Sequence, residues 1–171
     1  MHNIYITHAT PADAEMIANI SRETFYDAFA EQNTKEDMDK FLAEQFSKES
    51  LMAEVGVNGH IFLLAYAGNE PAGYVFLKNT TETALQNNRA MEVSRIYARK
   101  PFIGKGIGKI LLQAAFAEAR LLDKEIIWLG VWEHNRRAIE FYTSFGFEKF
   151  SEHDFVLGTD VQRDWLMKRI L

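Results

Sequence analysis

Hydrophobic and polar positions change period several times along this chain, and the changes mark out its elements. Residues 3–7 (Asn-Ile-Tyr-Ile-Thr) alternate polar and apolar side chains, the period of a strand with one buried face. Thr10-Pro11-Ala12-Asp13 follows as a helix-start signal, because proline's fixed φ and missing N–H suit a first helical turn. Ile17, Ile20, Phe25, Ala28 and Phe29 then recur at helical spacing, predicting an amphipathic helix that ends near Glu31-Gln32-Asn33. Thr34 is suited to cap a second helix with the stripe Met38, Phe41, Leu42 and Phe46, and residues 47–55 predict a short third one stopped by Gly56.

From His60 the period becomes strand-like. Residues 61–66 and 72–77 are apolar runs joined by Ala67-Gly68-Asn69-Glu70-Pro71, a hairpin signature. The polar stretch 79–89 reads as a loop, and residues 91–97 as a strand that feeds Ile103-Gly104-Lys105-Gly106-Ile107-Gly108. Ile107, Ile110, Leu111, Ala114 and Leu121 make the buried stripe of the next helix. Residues 126–132 are almost wholly apolar, as in a strand covered on both faces. Asn135 caps a helix carrying Ala138, Phe141, Tyr142 and Phe145, with Gly146 as its stop. Two strands, 147–151 and 164–170, close the chain around a hairpin that holds His153 and Asp154. The order predicts an α/β (α+β) fold: a mixed, mostly antiparallel sheet of about six to seven strands with helices on both faces.

Composition narrows the class. A length of 171 residues suits one domain over 1–171, and 47% hydrophobic with 25% charged residues is ordinary for a folded globular chain. The absence of cysteine removes disulfides, thiolate metal sites and a cysteine nucleophile, and no metal is expected. A net charge of −5 argues against broad nucleic-acid binding and is compatible with a cationic partner. The start Met1-His2-Asn3-Ile4 has neither a basic residue run nor an apolar one, and no segment reaches membrane-span length, so no membrane partner and a cytoplasmic location are expected.

The candidate chemistry centres on residues 103–108. Glycines at alternate positions before a helix free the backbone to turn its N–H groups towards one point, at the positive end of the helix dipole. That arrangement is an anion cradle, or else only a tight strand-to-helix turn. Two phosphate loops fail on spacing. A Walker A loop needs a glycine where Ile103 stands and Ser or Thr where Ile110 stands, and a dinucleotide fingerprint needs a glycine at Lys109.

The stretch resembles motif A of the GNAT (GCN5-related) N-acetyltransferase family, and the likeness continues through residues 129–142 (Leu-Gly-Val-Trp-Glu-His-Asn-Arg-Arg-Ala-Ile-Glu-Phe-Tyr) and Phe145-Gly146-Phe147. The resemblance implies acetyl-CoA as co-substrate, a central parallel strand pair splayed to admit it, and direct attack of an amine on the thioester in a ternary complex. Cofactor contacts are then expected from Ile96, Tyr97, Ile103, Gly104, Lys105, Gly106, Ile107, Gly108, Lys109, Asn135, Ala138 and Tyr142. Tyr142 is the implied general acid towards the leaving sulfur and Glu92 the implied base, with Ser94 as its same-face neighbour; a structural aromatic and a surface carboxylate are the alternatives. Ile103 departs from the pattern, since Gln or Arg is usual there, which leaves the phosphate grip to backbone N–H groups and to Lys105, Lys109 or Arg99.

Further details resemble the bacterial spermidine/spermine N-acetyltransferase branch, notably Glu23-Thr24-Phe25-Tyr26-Asp27-Ala28-Phe29, Ala72-Gly73-Tyr74-Val75 and Trp128-Leu129-Gly130-Val131-Trp132-Glu133. This implies a small-molecule amine acceptor, a polyamine first, met by Tyr26, Phe29, Glu31, Asn33, Glu92, Trp132 and His153. Acetylation of a protein N-terminus, a lysine or an amino-bearing drug is the enzymatic alternative, and a non-catalytic acyl-CoA sensor the third. Dimers are frequent in the family, so a homodimer is an option.

Overall fold

Helix caps and strand registers fix the architecture. The computed structural model describes residues 3–171, so Met1 and His2 of the unpatterned start lie outside the described residues. A first strand, β1 (Ile4–His8), leads into three helices, α1 (Ala14–Phe29), α2 (Lys35–Glu44) and α3 (Lys48–Ala53). Then come β2 (His60–Ala67), β3 (Glu70–Lys78), β4 (Ala90–Ala98), α4 (Ile107–Leu121), β5 (Ile126–Trp132), α5 (Arg136–Ser144), β6 (Glu148–Leu157) and β7 (Asp160–Ile170). The expected caps form: Thr34 accepts from the Asp37 N–H at 3.1 Å, and Asn135 Oδ1 from the Ala138 N–H at 3.1 Å. Each satisfies a helix-end donor that would otherwise lack a partner.

The seven strands form a sheet in the order β1-β2-β3-β4-β5-β7-β6. Every neighbouring pair is antiparallel except β4 and β5. That parallel pair is short, running from Ala90 opposite Ile126 to Glu92 opposite Trp128. Beyond it β4 pairs only with β3 and β5 only with β7, so the sheet opens between them. The mixed sheet and its parting central pair are as expected.

Helices α4 and α5 cover one face. Leu63, Val75, Leu77, Met91 and Val93 of the sheet pack there with Leu111, Leu112 and Phe116 of α4. The other face carries α1 to α3: Ile17 and Ile20 sit on Phe62, Leu64, Tyr74 and Phe76, while Phe25 joins Met38, Phe41 and Phe46. Each such side chain contributes about 1.5–3 kcal/mol by leaving water, which is why the helical preface holds its place. Gly73 lets β4 and α4 come close, because a Cβ there would meet the Tyr97 carbonyl oxygen at 2.5 Å and an Ile107 methyl at 2.9 Å.

A bulge in β4 changes which residues face which layer. Leu77 lies opposite Val93 but Phe76 opposite Arg95, leaving Ser94 as the extra residue. Before the bulge Met91 and Val93 point to the α4 side; after it Ile96 and Ala98 do. Ser94 is the bulged residue itself, so the two-residue period counted from Glu92 no longer holds for Arg95 and the residues after it. Arg95 instead turns under α3, where it pairs with Glu54 and lies over the rings of Phe46 and Phe76 at 5.1 and 4.7 Å.

The last hairpin is longer than its pattern predicts. β6 and β7 pair up to Leu157 opposite Asp160, so His153 and Asp154 lie within a strand. Polar residues on both faces of Glu152-His153-Asp154 hide the alternation that would announce a strand, and cross-strand ion pairs such as Arg163 to Glu152 at 3.1 Å support it instead. Among the described residues no helix is long and apolar enough to cross a membrane.

Candidate active site

The donor side of the opening is made largely of backbone. After β4, a 3-10 turn at Lys100–Phe102 leads to Gly104 and Gly106, whose φ values are +81° and +83°. Side chains are strained in that region, so both positions call for glycine. Gly106 is the N-cap of α4 and offers no side chain to the helix end. The N–H groups of Gly104 and Gly106 have no partner among the described residues, and those of Ile107, Gly108 and Lys109 are the free donors of an uncapped first turn. By contrast the N–H groups of Ile103 and Lys105 are used within the loop, on the carbonyls of Lys100 and Phe102.

Side-chain help is sparse. Ile103 is 48% exposed and apolar. The Lys105 ammonium lies 5.5 Å from the centre of the Phe102 ring, and Lys109 is exposed. Arg99, the third cation considered, is occupied: it pairs with Glu23 at 3.1 Å and donates to the Pro71 carbonyl at 3.0 Å. The free amides, the helix dipole and the open space at both glycines fit a pyrophosphate.

Past Glu92 and Trp128 the facing edges of β4 and β5 no longer bond to each other, so their main-chain groups can meet an extended ligand arm. Ile96 lines the α4 side of that gap and Tyr97 the α1 side. Asn135 uses its Oδ1 as a cap, and Ala138 beside it is half-buried. Tyr142, one α-turn further on, packs against Phe141 and Phe147 with ring centres at 5.4 and 5.7 Å. Burial pushes its phenol well above the usual range, so it stays protonated. Tyr97 is raised for the same reason, with further upward pushes from Tyr74, Tyr142 and Asp164.

Glu92 lies at the closed end of the gap. Its carboxylate accepts from the Thr80 hydroxyl at 2.7 Å, and the Thr80 carbonyl accepts from the Trp128 indole at 3.1 Å.

On the acceptor side the expected residues divide. Trp132 lines a cavity of about 460 Å³ at the open end of β5, together with Glu133, Asp154, Asp160 and Arg163. His153 lies beside it on β6, its Nε2 3.7 Å from Asp164 Oδ2. Tyr26, Phe29, Glu31 and Asn33 do not line this cavity; their neighbour Gln32 does. Phe29 packs on Phe25 at 4.6 Å, Tyr26 is 46% exposed, and Glu31 is exposed. Asn33 ties the helical layer to the hairpin, accepting from Gln162 and donating to the Phe29 carbonyl, both at 2.8 Å. Asp164 went unnoticed in the sequence. Its only signal there is the start of an apolar run, because its proximity to Trp132 and Gly130 depends on strand register.

A parting parallel strand pair beside a glycine cradle defines a protein that holds an acyl carrier in the sheet. The family model for the Acetyltransferase (GNAT) family matches residues 15–147, and the chain belongs to that family. It is an acetyl-CoA-dependent N-acetyltransferase. An uncharacterized N-acetyltransferase of Lactobacillus delbrueckii subsp. lactis is 40% identical over 172 residues, covering 100% of this chain and 99% of that one. The spermidine N(1)-acetyltransferase of Thermoplasma acidophilum is 26% identical, covering 91% and 96%. Among solved structures, PaiA N-acetyltransferase from Thermoplasma acidophilum, in complex with coenzyme A, superposes with a TM-score of 0.79 at 24% identity over 99% of both chains.

Proposed function

We propose that this N-acetyltransferase modifies a small primary amine, and that its preferred acceptor is a polyamine such as spermidine or spermine. The observation that carries the reading is the cavity at Trp132. Three carboxylates, Glu133, Asp154 and Asp160, line it with Arg163 and His134; Arg163 is shared between Glu152 at 3.1 Å and Asp154 at 3.9 Å, and His134 lies 3.6 Å from Glu133, so carboxylate is in excess. A site of that balance attracts a ligand with several positive charges and disfavours an anionic one. The Thermoplasma relative's name supports the same class of acceptor.

Acetyl-CoA supplies an activated acyl carbon and a sulfur that leaves. The protein's part begins with the cradle of free amides at Gly104, Gly106 and the first turn of α4, which orients the nucleotide end. An alkylamine with a pKa near ~10.4 is about a thousandth neutral at pH 7, so a carboxylate that takes up its proton raises the reactive fraction. Glu92, at the closed end of the gap, has that role here, directly or through water. Tyr142 is the proton donor to sulfur. The dry surroundings keep its phenol protonated and so keep the proton on hand; they make the phenol a weaker acid, and the transfer is drawn by the cost that the same surroundings place on a free thiolate.

The test is thiol release from acetyl-CoA with spermidine, spermine, amino acids, aminoglycosides and a peptide. Spermidine or spermine should exceed a monoamine by about tenfold in kcat/KM, equivalent to ~1.4 kcal/mol of differential binding. A peptide or aminoglycoside as the best substrate would overturn the polyamine assignment, and a failure of every amine to release thiol, despite tight coenzyme A binding, would make the domain a sensor.

A further inference from the structure

The opening in the sheet has a second carboxylate. Asp164 lies on β7 opposite Trp132 of β5, four strand positions beyond Glu92's partner Trp128, and so at the open end of the gap, where Glu92 is at the closed end. Its neighbours along β7 establish the face it occupies. Trp165 and Met167 pack into the α4 side, and Gln162 reaches across to Asn33 on the helical side. Asp164 shares the face of Gln162 by the two-residue period. Tyr97 is on the same α1-facing side across the gap, close enough that the Asp164 charge adds to the upward push on its hydroxyl, as Tyr142 does.

Three observations set this carboxylate apart from an ordinary strand residue. Its side chain is only 17% exposed, and its one side-chain partner among the described residues is His153, opposite it on β6, whose Nε2 stands at 3.7 Å, beyond ordinary hydrogen-bond distance. The sheet in front of it is exposed at Gly130, where a Cβ would come into contact with Asp164 Oδ2 at 3.5 Å and with Leu166 at 3.6 Å. And its register partner Trp132 is a wall of the acidic cavity, so the carboxylate stands where that cavity meets the gap. Half-buried carboxylates are costly without a close charged partner, and a histidine at 3.7 Å leaves Asp164 able to take a closer cation from the exposed side over Gly130.

We infer that Asp164 receives the acceptor's ammonium end at the mouth of the gap, over Gly130, before the amine moves inward and loses its proton, with the rest of a polycationic acceptor lying in the cavity of Glu133, Asp154 and Asp160. Asp164 is then a specificity-determining residue that fixes where the amine enters, while Glu92 and Tyr142 serve the chemistry deeper in the gap. The assignment rests on the reading of the substrate as an amine. It does not require that amine to be a polyamine.

The experiment compares wild-type protein saturated with coenzyme A against Asp164→Asn and Gly130→Ala, titrated calorimetrically with spermidine and assayed with acetyl-CoA. For Asp164→Asn the spermidine Kd and KM should rise at least about tenfold, because a charge-assisted contact to a partly buried partner is lost, while the Kd of coenzyme A stays within about twofold. Gly130→Ala has an ordinary backbone conformation and a methyl in van der Waals contact only, so it should fold; it narrows the approach and should raise the same two constants several-fold. A spermidine affinity unchanged in Gly130→Ala and in folded Asp164→Asn overturns the assignment, and if Asp164→Asn does not fold, Gly130→Ala decides alone. If the wild type prefers another amine over spermidine, the polyamine reading fails and the same comparison with that amine decides on Asp164. If it binds no amine, the Asp164 assignment fails as well.

Discussion

The two sides of the gap between β4 and β5 are built on different principles. The donor side depends on main-chain geometry within one continuous stretch: the end of β4, two left-handed glycines and an uncapped helix start. The acceptor side depends on side chains brought together from β5, β6 and β7, with Gln32 from the end of the first helix. A thioester carrier common to a whole family can be gripped by backbone, which any sequence with the right turn provides. An acceptor that differs between relatives is selected by side chains, which can change without disturbing the turn.

Substitution at the chemistry gives the largest expected effect and tests whether the gap works as one site. Tyr142→Phe keeps the ring against Phe141 and Phe147 and removes only the hydroxyl. It should lower kcat by about 100-fold, within the range for loss of a general acid, with little change in the Kd of coenzyme A. Glu92→Gln should cost about tenfold in kcat. Full turnover in Tyr142→Phe, measured by thiol release under saturating substrates, would remove the acid from α5.

The donor side should break through its backbone. Gly106→Val forces a β-branched residue into φ +83° at the N-cap of α4, which costs on the order of 1–3 kcal/mol and shifts the amides of the cradle. Coenzyme A affinity should fall by about ten- to thirtyfold by calorimetry. Ile103→Gln is the complementary change: it adds the side-chain donor usual in the family, and an unchanged affinity would show that the amides carry the grip, whereas a gain of about tenfold would show that a side chain carries a large share of it.

How much of this was legible in the sequence follows the same division. The caps at Thr34 and Asn135, the hairpin of β2 and β3, and the glycine cradle all depend on residues near one another in the chain, and each forms as its pattern predicts. The bulge at Ser94 was not legible, because Val93, Ser94 and Arg95 carry no glycine or other mark of an extra residue. It changes the face of the β4 residues after it, and so sets Tyr97 on the α1 side. The length of β6 and β7 was hidden by polar residues on both faces, and with it the meeting of His153 and Asp164. Asp164 itself could be found only from register.

On the acceptor side, single charges should matter less than the chemistry and more than the fold. Asp154 and Asp160 are exposed and line the cavity, so replacing both with Asn should raise the KM of spermidine by a few-fold while leaving that of a monoamine nearly unchanged. Equal loss for both amines would mean that the cavity does not read the number of charges.

The smallest expected effect concerns stability, and it separates a binding carboxylate from a structural one. Desolvation raises the Asp164 carboxyl above its ordinary 3.8, with His153 pulling it partly back. A raised folded value means that the folded protein binds the proton more readily than the unfolded chain. The ionised carboxylate therefore costs stability above the folded value. That cost shrinks as the pH falls through the folded value and is absent below about 3.8, where both states are protonated. Asp164→Asn lacks the cost at every pH. It should therefore melt above the wild type at pH 7, and the difference should close towards pH 3.5. Spermidine should reverse the order at pH 7, since it binds and stabilises the wild type far better than the variant. A variant that melts below the wild type at pH 7 without ligand would make Asp164 a structural partner of His153, and the open side of Gly130 would then need another occupant.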